Sequence, residues 1–260
     1  MTQVLYKKVA IDAAVQAGRF IRGSVGRIQD ISYKGKTNLV TDVDKKAEAM
    51  IIRKIVAAFP DHSILSEEGR PRERSSVFKW LIDPLDGTTN FVHAFPFFSV
   101  SIGLEKDGAV VLGVVYDPMR DELFTAQKGA GAYLNNKRIK VSDTKRLSES
   151  LLATGFAYGV KEAADDNIAN FRDFLMQARA IRRAGSAALD FCYVACGRFD
   201  GYWELDLNPW DCAAGTLLAR EAGGKVSRHD GSAYSHYDKE VLASNGRIHH
   251  QMVNVLTKKA

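Results

Sequence analysis

The sequence predicts a mixed protein of α-helices and β-strands arranged in layers, and three observations support this fold class. Two segments within the first 60 residues show helical periodicity, with apolar side chains recurring at helical spacing. From residue 97 onward, longer segments alternate between apolar and polar residues, as antiparallel strands do. Beyond residue 150, strand-like and helix-like segments follow one another in turn. With 260 residues, the chain is long enough to bury a sizeable core.

The N-terminal part is predicted to contain two helices followed by two short strands. The second helix ends before Pro60, because proline lacks the amide hydrogen that a helix interior needs. A polar stretch separates the two helices, and a charged stretch rich in Arg and Glu separates the two strands. The predicted elements are helices at 3–22 and 42–59 and strands at 63–66 and 78–82.

The rest of the chain is predicted to begin with antiparallel strands and to continue with alternating helices and strands. The predicted strands are 97–106, 109–116, 122–127, 151–156, 199–204, 225–227 and 241–244, and the predicted helices are 167–180, 186–196, 210–222 and a final C-terminal helix. Polar residues cluster at 142–150 without forming a flexible linker. We therefore expect a single domain, 1–260, with an N-terminal half at 1–147 and a C-terminal half at 148–260.

Composition is that of an ordinary globular protein, and attraction of a small anionic substrate explains the mildly basic charge as well as nucleic-acid binding does. Hydrophobic residues make up 46% of the chain and charged residues 26%, which is typical of soluble domains. The net charge of +5 is spread in short pairs without a basic tail, so it indicates nucleic-acid binding only weakly. Three cysteines without a disulfide pattern, no signal peptide and no apolar stretch of membrane-spanning length predict a cytoplasmic protein.

Two carboxylates, Asp83 and Asp86, follow the apolar strand segment 80–82. Ligand-binding groups in α/β proteins commonly stand where a strand ends. Two acidic side chains directed at one point repel each other unless a cation lies between them. Without a neighbouring Cys or His, these hard oxygen ligands favour Mg²⁺ over Zn²⁺. The same Asp-x-x-Asp-Gly pattern also occurs in ordinary turns, where Asp caps a helix, and that alternative stays open.

An anion site is predicted directly after this acidic pair. The amides of Gly87, Thr88 and Thr89 would form a helix N-terminus, which favours an anion such as phosphate. Metal ligands and an anion site on one turn indicate metal-assisted chemistry on a phosphate ester.

Other acidic residues stand in similar contexts. Glu67 and Glu68 follow a short strand, Asp211 stands in the first turn of a helix, and Asp42 and Asp44 precede another helix. Each has a structural interpretation as a helix cap, a partner of the helix dipole or a solvated surface group. Together they would supply the several carboxylates that a multi-metal phosphatase needs.

Three motifs in order resemble the inositol monophosphatase family of Mg²⁺-dependent, lithium-sensitive phosphatases. They are LSEEG at 65–69, WLIDPLDGTTNF at 80–91 and PWDCAAGTLLAREAGG at 209–224, and the similarity begins with LVTDVDKKAE at 39–48. The bacterial branch of the family is the most similar. The resemblance implies an α+β fold, a layered αβαβα sandwich of the sugar-phosphatase type shared with fructose bisphosphatases, and a homodimer.

The resemblance also implies two to three Mg²⁺ ions per active site. Glu67, Asp83 and the main-chain carbonyl of Leu85 would hold the first ion. Asp83, Asp86 and Asp211 would hold the second, with Asp83 bridging the two. A third, weaker ion would rest on Glu67 and water.

By the same resemblance, Glu67, Thr88 and Asp44 would be catalytic, with Thr88, supported by Asp44, orienting the attacking water. The residues expected to bind substrate are Asp86, Gly87, Thr88, Gly185, Ser186, Ala187, Glu204 and Asp211. Either Lys34 or Lys36 would approach the metal loop.

The predicted reaction is hydrolysis of myo-inositol 1-phosphate and similar small polyol phosphates. Histidinol phosphate and fructose 1,6-bisphosphate stay open as substrates. A 3′-phosphoadenosine 5′-phosphate phosphatase is disfavoured, because those relatives read GTKEF where this chain has GTTNF at 87–91. A protein that binds RNA or the transcription apparatus is the alternative from a different class, suggested by the basic pI of about 9.0.

Overall fold

The computed structural model describes residues 2–27, 31–34, 38–156 and 167–258. The helices are α1 (Thr2–Ser24), α2 (Asp42–Ala58), α3 (Thr88–Val92), α4 (Ile168–Leu175), α5 (Ala187–Ala195), α6 (Pro209–Glu221) and α7 (His249–Thr257). The strands are β1 (Ile31–Lys34), β2 (Asn38–Thr41), β3 (Ser63–Ser66), β4 (Phe78–Asp86), β5 (Ser99–Lys106), β6 (Ala109–Asp117), β7 (Glu122–Gln127), β8 (Gly131–Leu134), β9 (Lys137–Arg138), β10 (Leu151–Thr154), β11 (Ala180–Arg182), β12 (Gly201–Leu205), β13 (Lys225–Ser227) and β14 (Glu240–Ser244).

These elements stack in five layers. Helices α1 and α2 cover one face of a seven-stranded sheet in the order β3-β4-β5-β6-β7-β8-β9. Helices α5 and α6 lie between that sheet and a five-stranded sheet in the order β11-β10-β12-β14-β13. Helices α4 and α7 pack on the opposite face of the second sheet. The result is an α+β sandwich of αβαβα layers, which confirms the predicted fold class.

Small residues let α6 approach the seven-stranded sheet closely. A Cβ atom added at Gly113 would lie 2.7 Å from the carbonyl oxygen of Ala214, and one added at Gly103 would lie 3.1 Å from the Cβ atom of Ala213. Such contacts leave no room for a side chain on the strand. They hold the start of α6, where Asp211 stands, next to β4.

The predicted end of the β4 strand is wrong. The prediction ended it at Ile82, but β4 continues through Asp86. Its pairing with β5 shifts register between Asp83 and Asp86. Pro84 has no amide hydrogen to donate, and it lies within this irregularity, where a ladder hydrogen bond is not required. Asp83 and Asp86 therefore lie on an irregular strand end rather than beyond it.

Several short strands escaped prediction. Strands β1 and β2 form a two-stranded antiparallel sheet that includes part of the polar stretch between the two predicted helices. The helix predicted at 167–180 is shorter than expected, because α4 ends at Leu175 and β11 follows it. Strands this short offer little alternation, so some of them, such as 63–66 and 225–227, were predicted and others were not.

Helices α5 and α6 join the two predicted halves of the chain. Both belong to the C-terminal half, yet both contact strands β5 and β6 of the N-terminal half. The division at residue 147 stays a prediction. In the parts of the chain that the structure describes, none of the helices combines the length and apolar character needed to cross a membrane.

Acidification is expected to destabilise the protein through His249. Its buried imidazole places Nε2 2.9 Å from Ser227 Oγ and Nδ1 2.8 Å from Ser244 Oγ. Burial, with a smaller contribution from Lys225, lowers the pKa of His249 from 6.5 to about 4. The unfolded chain therefore takes up a proton below pH 6.5 that the folded protein does not accept until the pH approaches 4. This contribution to stability is complete above pH 6.5 and is lost as the pH falls from 6.5 to 4.

Urea unfolding measured across that pH range tests the assignment. A His249→Gln variant cannot titrate at this position, so its stability should change less with pH than that of the unaltered protein. Equal pH dependence of stability in the two proteins would contradict the assignment of this effect to His249.

Candidate active site

Two parallel strands bring Glu67 beside Asp83. β3 and β4 pair in parallel, with Ser66 opposite Ile82, and the next residue on each strand is one of the two acids. The amide of Glu67 donates a hydrogen bond of 3.1 Å to the carbonyl oxygen of Ile82. Both acids therefore stand at the same edge of the seven-stranded sheet.

The third acid of this group comes from the first turn of α6. Asn208 caps the helix, and Pro209 occupies its first position, where a missing amide hydrogen does no harm. Asp211 Oδ2 accepts a hydrogen bond of 2.7 Å from the amide of Asn208, which completes a capping box. One carboxylate oxygen from each of Glu67, Asp83 and Asp211 lies within 4.8 Å of the other two.

Burial and mutual repulsion both act on this three-acid cluster. Burial, followed by the charges of Glu67, Asp86 and Asp211, raises the pKa of Asp83 well above its usual value. Burial and the charge of Glu67 likewise raise the pKa of Asp211 well above normal. Acidic groups held this close repel one another, so each raises the pKa of its neighbours.

The donor set of the cluster fits a divalent cation of the Mg²⁺ type. All three groups are carboxylates, which are hard oxygen ligands, and a cation placed among them would reverse the repulsion. Soft thiolate or imidazole ligands, which select zinc and copper, are not part of this group among the described residues.

Asp86 lies at the N-terminus of α5. Its carboxylate accepts hydrogen bonds from the Ser186 hydroxyl and from the amides of Ala187 at 3.2 Å and Ala188 at 2.8 Å. Burial raises the pKa of Asp86 to about 6, although these donors oppose the shift. Asp86 is close enough to raise the pKa of Asp83, so a ligand role for it stays a prediction alongside its role as a helix cap.

Asp44, which is distant in the sequence, holds the side chain of Thr88 through a hydrogen bond. The Thr88 hydroxyl donates to Asp44 Oδ1 at 3.0 Å and lies 3.1 Å from the carbonyl oxygen of Leu85. Asp44 itself is buried at the start of α2, where its other oxygen caps the helix through the amide of Thr41 at 2.8 Å. A hydroxyl has one proton, so Thr88 can accept a further hydrogen bond once that proton is committed.

The position between Asp86 and Thr88 requires a glycine. Gly87 has a φ of 98°, in the left-handed region that side chains disfavour. A Cβ atom there would also lie 3.1 Å from the carbonyl oxygens of Gly185 and Phe97. The segment that begins at Gly185 can therefore approach the acidic loop closely.

The cavity extends from the acids toward Glu204. It has a volume of about 590 Å³ counted out to its open mouth. Glu204 is buried, accepts a hydrogen bond from the hydroxyl of Tyr202, and has its pKa raised to about 7, chiefly by burial. A Cβ atom at residue 155 would lie 2.1 Å from both carboxylate oxygens of Glu204, so Gly155 provides the space that this side chain occupies.

The predicted site residues come together around this cavity. Those that line it are Glu67, Asp83, Leu85, Asp86, Gly87, Thr88, Gly185, Ser186, Ala187, Glu204 and Asp211. Asp44 lies behind Thr88. Lys36 lies outside the described residues, and for Lys34 the structure describes the backbone strand alone, so the choice between them stays open.

A comparison with known families decides the classification. Residues 3–260 match the inositol monophosphatase family. The chain belongs to this family. That result confirms the resemblance seen in the sequence and supports a phosphatase.

Individual relatives cover nearly the whole chain. An inositol-1-monophosphatase of Synechocystis sp. is 46% identical over 251 residues, which span 96% of this chain and 88% of that protein. A Nus factor SuhB of Vibrio cholerae is 46% identical over 242 residues, which span 92% of this chain and 91% of that protein. The solved structure of an inositol monophosphatase from Anabaena (Nostoc) sp. is 43% identical, with a TM-score of 0.92 over 100% of this chain and 98% of that one.

Two residues that support the family's site were missed in the sequence. Glu48 Oε2 accepts hydrogen bonds from the amides of Glu68 at 2.9 Å and Gly69 at 3.1 Å, which fixes the loop that carries Glu67. Asn90 Nδ2 donates to the carbonyl oxygens of Phe97 at 2.7 Å and Ala184 at 2.8 Å. Both residues lie inside motifs that carry the family resemblance, and this placement could have indicated that they support the site.

Replacing Asn90 with aspartate is expected to loosen the contact between α3 and the segment at 184–187. The change keeps the shape of the side chain but removes the donated hydrogen bonds and sets a negative charge against the carbonyl oxygens of Phe97, Ala184 and Gly185. Unsatisfied buried groups cost about 1–3 kcal/mol each, so a lower melting temperature and roughly tenfold higher KM for a phosphate ester should follow. Asn254→Asp, the same change at an exposed position of α7, is the control. An unaltered KM in Asn90→Asp would contradict the positioning role.

Proposed function

We propose that this protein is an Mg²⁺-dependent phosphomonoesterase that hydrolyses myo-inositol 1-phosphate and similar small polyol phosphates to the free polyol and phosphate. The cluster of Glu67, Asp83 and Asp211 beside the Thr88–Asp44 pair supports this function best. A cavity that runs from this cluster to Glu204 offers room for a phosphate at one end and a polyol at the other.

The proposed metal ligands follow the family resemblance. Glu67, Asp83 and the carbonyl of Leu85 would hold one Mg²⁺, while Asp83, Asp86 and Asp211 would hold a second; a third would rest on Glu67. Bound Mg²⁺ supplies a water of lowered pKa and neutralises charge on the leaving oxygen.

The chain's own groups would then position the reactants. Because the Thr88 hydroxyl donates its hydrogen bond to Asp44, the lone pairs of Thr88 are free to orient an attacking water, and Glu67 is available to take a proton from that water. The amides of Gly87 and Thr88 would receive phosphate oxygens. On the polyol side, Glu204 and the segment Gly185–Ala187 would contact hydroxyl groups.

A panel of phosphate esters tests the function directly. We expect phosphate release from myo-inositol 1-phosphate with Mg²⁺ to exceed release from histidinol phosphate, fructose 1,6-bisphosphate and 3′-phosphoadenosine 5′-phosphate, and to be inhibited by Li⁺. A chelator should abolish activity and Mg²⁺ should restore it. Preference for another ester on the panel would replace inositol phosphate as the proposed substrate.

A homodimer in the cytoplasm is proposed alongside this activity. In the segment from Phe91 to Phe98, Phe91, Phe97 and Phe98 are buried, while Phe95 is 54% exposed and available to an interface. Light scattering on the purified protein measures its oligomeric state.

Binding to RNA or the transcription apparatus is a second proposed function. The net charge of +5 favours it, and one relative at 46% identity is named a Nus factor. RNA retention that weakens steeply with salt would support this function, and the absence of retention at low salt would remove its RNA form.

A further inference from the structure

We propose that Asp190 is a specificity-determining residue of this cavity, whose carboxylate accepts hydrogen bonds from hydroxyl groups of the polyol. The inference rests on the proposed function, because it assigns a role at the same site. Asp190 lies in α5, three residues after Ala187, and lines the cavity together with Glu204.

The Asp190 carboxylate is buried without a hydrogen-bond partner for one of its oxygens. The side chain is 1% exposed, and Oδ1 has no partner in the described structure. An ionised carboxylate left unpaired inside a protein is unfavourable. A ligand in the cavity that donates hydroxyl hydrogens would remove that penalty, whereas the described residues provide no donor to Oδ1.

Asp190 is not needed to cap α5. Asp86 already accepts from the amides of Ala187 and Ala188, and the Ser186 hydroxyl accepts from the amide of Leu189. The first-turn donors of the helix are therefore satisfied by other groups, which leaves the carboxylate of Asp190 without a structural task at the helix end.

The surroundings of Asp190 select for neutral hydrogen-bond donors. After burial, the charges of Glu204 and Asp86 contribute most to raising the pKa of Asp190, and the charge of Arg183 partly opposes them. Among the described residues that line the cavity, Arg183 is the one basic side chain, and it is exposed. Hydroxyl groups suit this end of the cavity better than an anion does.

A consequence for substrate class follows from this charge distribution. Bound cations would neutralise the acids at the metal end, but Asp190 and Glu204 would remain beyond them. A second phosphate on the substrate would face two carboxylates, while vicinal hydroxyls would each find an acceptor. Polyol monophosphates should therefore be preferred to sugar bisphosphates.

An isosteric Asp190→Asn variant tests the proposal with two esters. myo-Inositol 1-phosphate offers ring hydroxyls, whereas p-nitrophenyl phosphate offers the phosphate without them. We expect kcat/KM for the inositol ester to fall about 10- to 100-fold, as for loss of a hydrogen bond to a charged acceptor, while that for the nitrophenyl ester stays within about twofold. Inhibition by free myo-inositol should weaken in parallel, and the Mg²⁺ concentration for half-maximal activity should not change.

Controls separate specificity from general damage. Asp12→Asn, at an exposed position of α1, should leave both esters unaffected. The melting temperature of Asp190→Asn should equal or exceed that of the unaltered protein, because an unpaired buried carboxylate has been removed. The ratio of fructose 1,6-bisphosphate to inositol phosphate hydrolysis should rise.

Two results would overturn the inference while leaving the proposed function intact. One is an equal loss for both esters, which would mean general damage to the site. The other is unaltered kinetics for both esters, which would mean that Asp190 touches neither substrate. If the unaltered protein hydrolyses neither ester, the proposed function itself fails, and the inference fails with it.

Discussion

Replacing Asp83 with asparagine is expected to abolish hydrolysis while leaving the fold intact. Asn retains the shape of the side chain and an oxygen that accepts from the amide of Leu85, at 2.9 Å in the native chain. The substitution removes the negative charge of a side chain that, by the family resemblance, would bind both proposed Mg²⁺ ions. Metal ions contribute several kcal/mol to the transition state, and each 1.36 kcal/mol is tenfold in rate, so kcat/KM should fall by about 10³-fold or more.

The unfolding midpoint shows whether the loss is chemical or structural. In metal-free buffer, Asp83→Asn should unfold at the same or a higher temperature, because one of several repelling buried charges has been removed. Asp61→Asn, an exposed position before β3, serves as the control and should keep full activity. A folded Asp83→Asn protein with full activity and a normal Mg²⁺ requirement would contradict the metal assignment.

The position of the site could be predicted because its chemistry is concentrated in short local motifs. Asp83, Asp86 and the following glycine stand within a few residues of each other, so their pattern is visible without any tertiary contact. Glu67 and Asp211 were candidates from their sequence contexts, and their assignment to particular metal ions came from the family resemblance. The structure brings these acids together through a parallel strand pair and a helix that packs tightly on the sheet.

The hydrogen bonds that hold the site could not be predicted, because they join distant parts of the chain. Asp86 is bound by amides at 187 and 188, about 100 residues later in the sequence. Glu48 reaches the loop after Glu67 from a helix whose apolar pattern explains its fold without that contact. Asp190 looks in the sequence like an ordinary first-turn acid, and the absence of a partner for its Oδ1 is a property of the folded chain.

Mg²⁺ is expected to raise the melting temperature of the metal-free protein by about 5–10 °C. The raised pKa values of Asp83 and Asp211 indicate that ionising the cluster destabilises the folded state. A ligand that binds only the folded state at 100 times its Kd adds about 2.7 kcal/mol. For chains of this size, 1 kcal/mol shifts the melting temperature by about 2–4 °C. Calorimetry of chelator-treated protein with and without Mg²⁺ measures the increment.

An Asp211→Asn variant should raise the melting temperature of the metal-free protein and reduce the increment that Mg²⁺ produces. Without metal, its melting temperature should rise, because a repelling charge is gone while asparagine can still accept the 2.7 Å hydrogen bond from the amide of Asn208. With Mg²⁺, its increment should shrink, because a proposed ligand is lost. A residue that served only to cap α6 would give a different pattern, since losing its negative charge at the helix N-terminus lowers stability and leaves the Mg²⁺ increment unchanged. The two readings therefore differ in sign in metal-free buffer, which makes this single variant decisive for the role of Asp211.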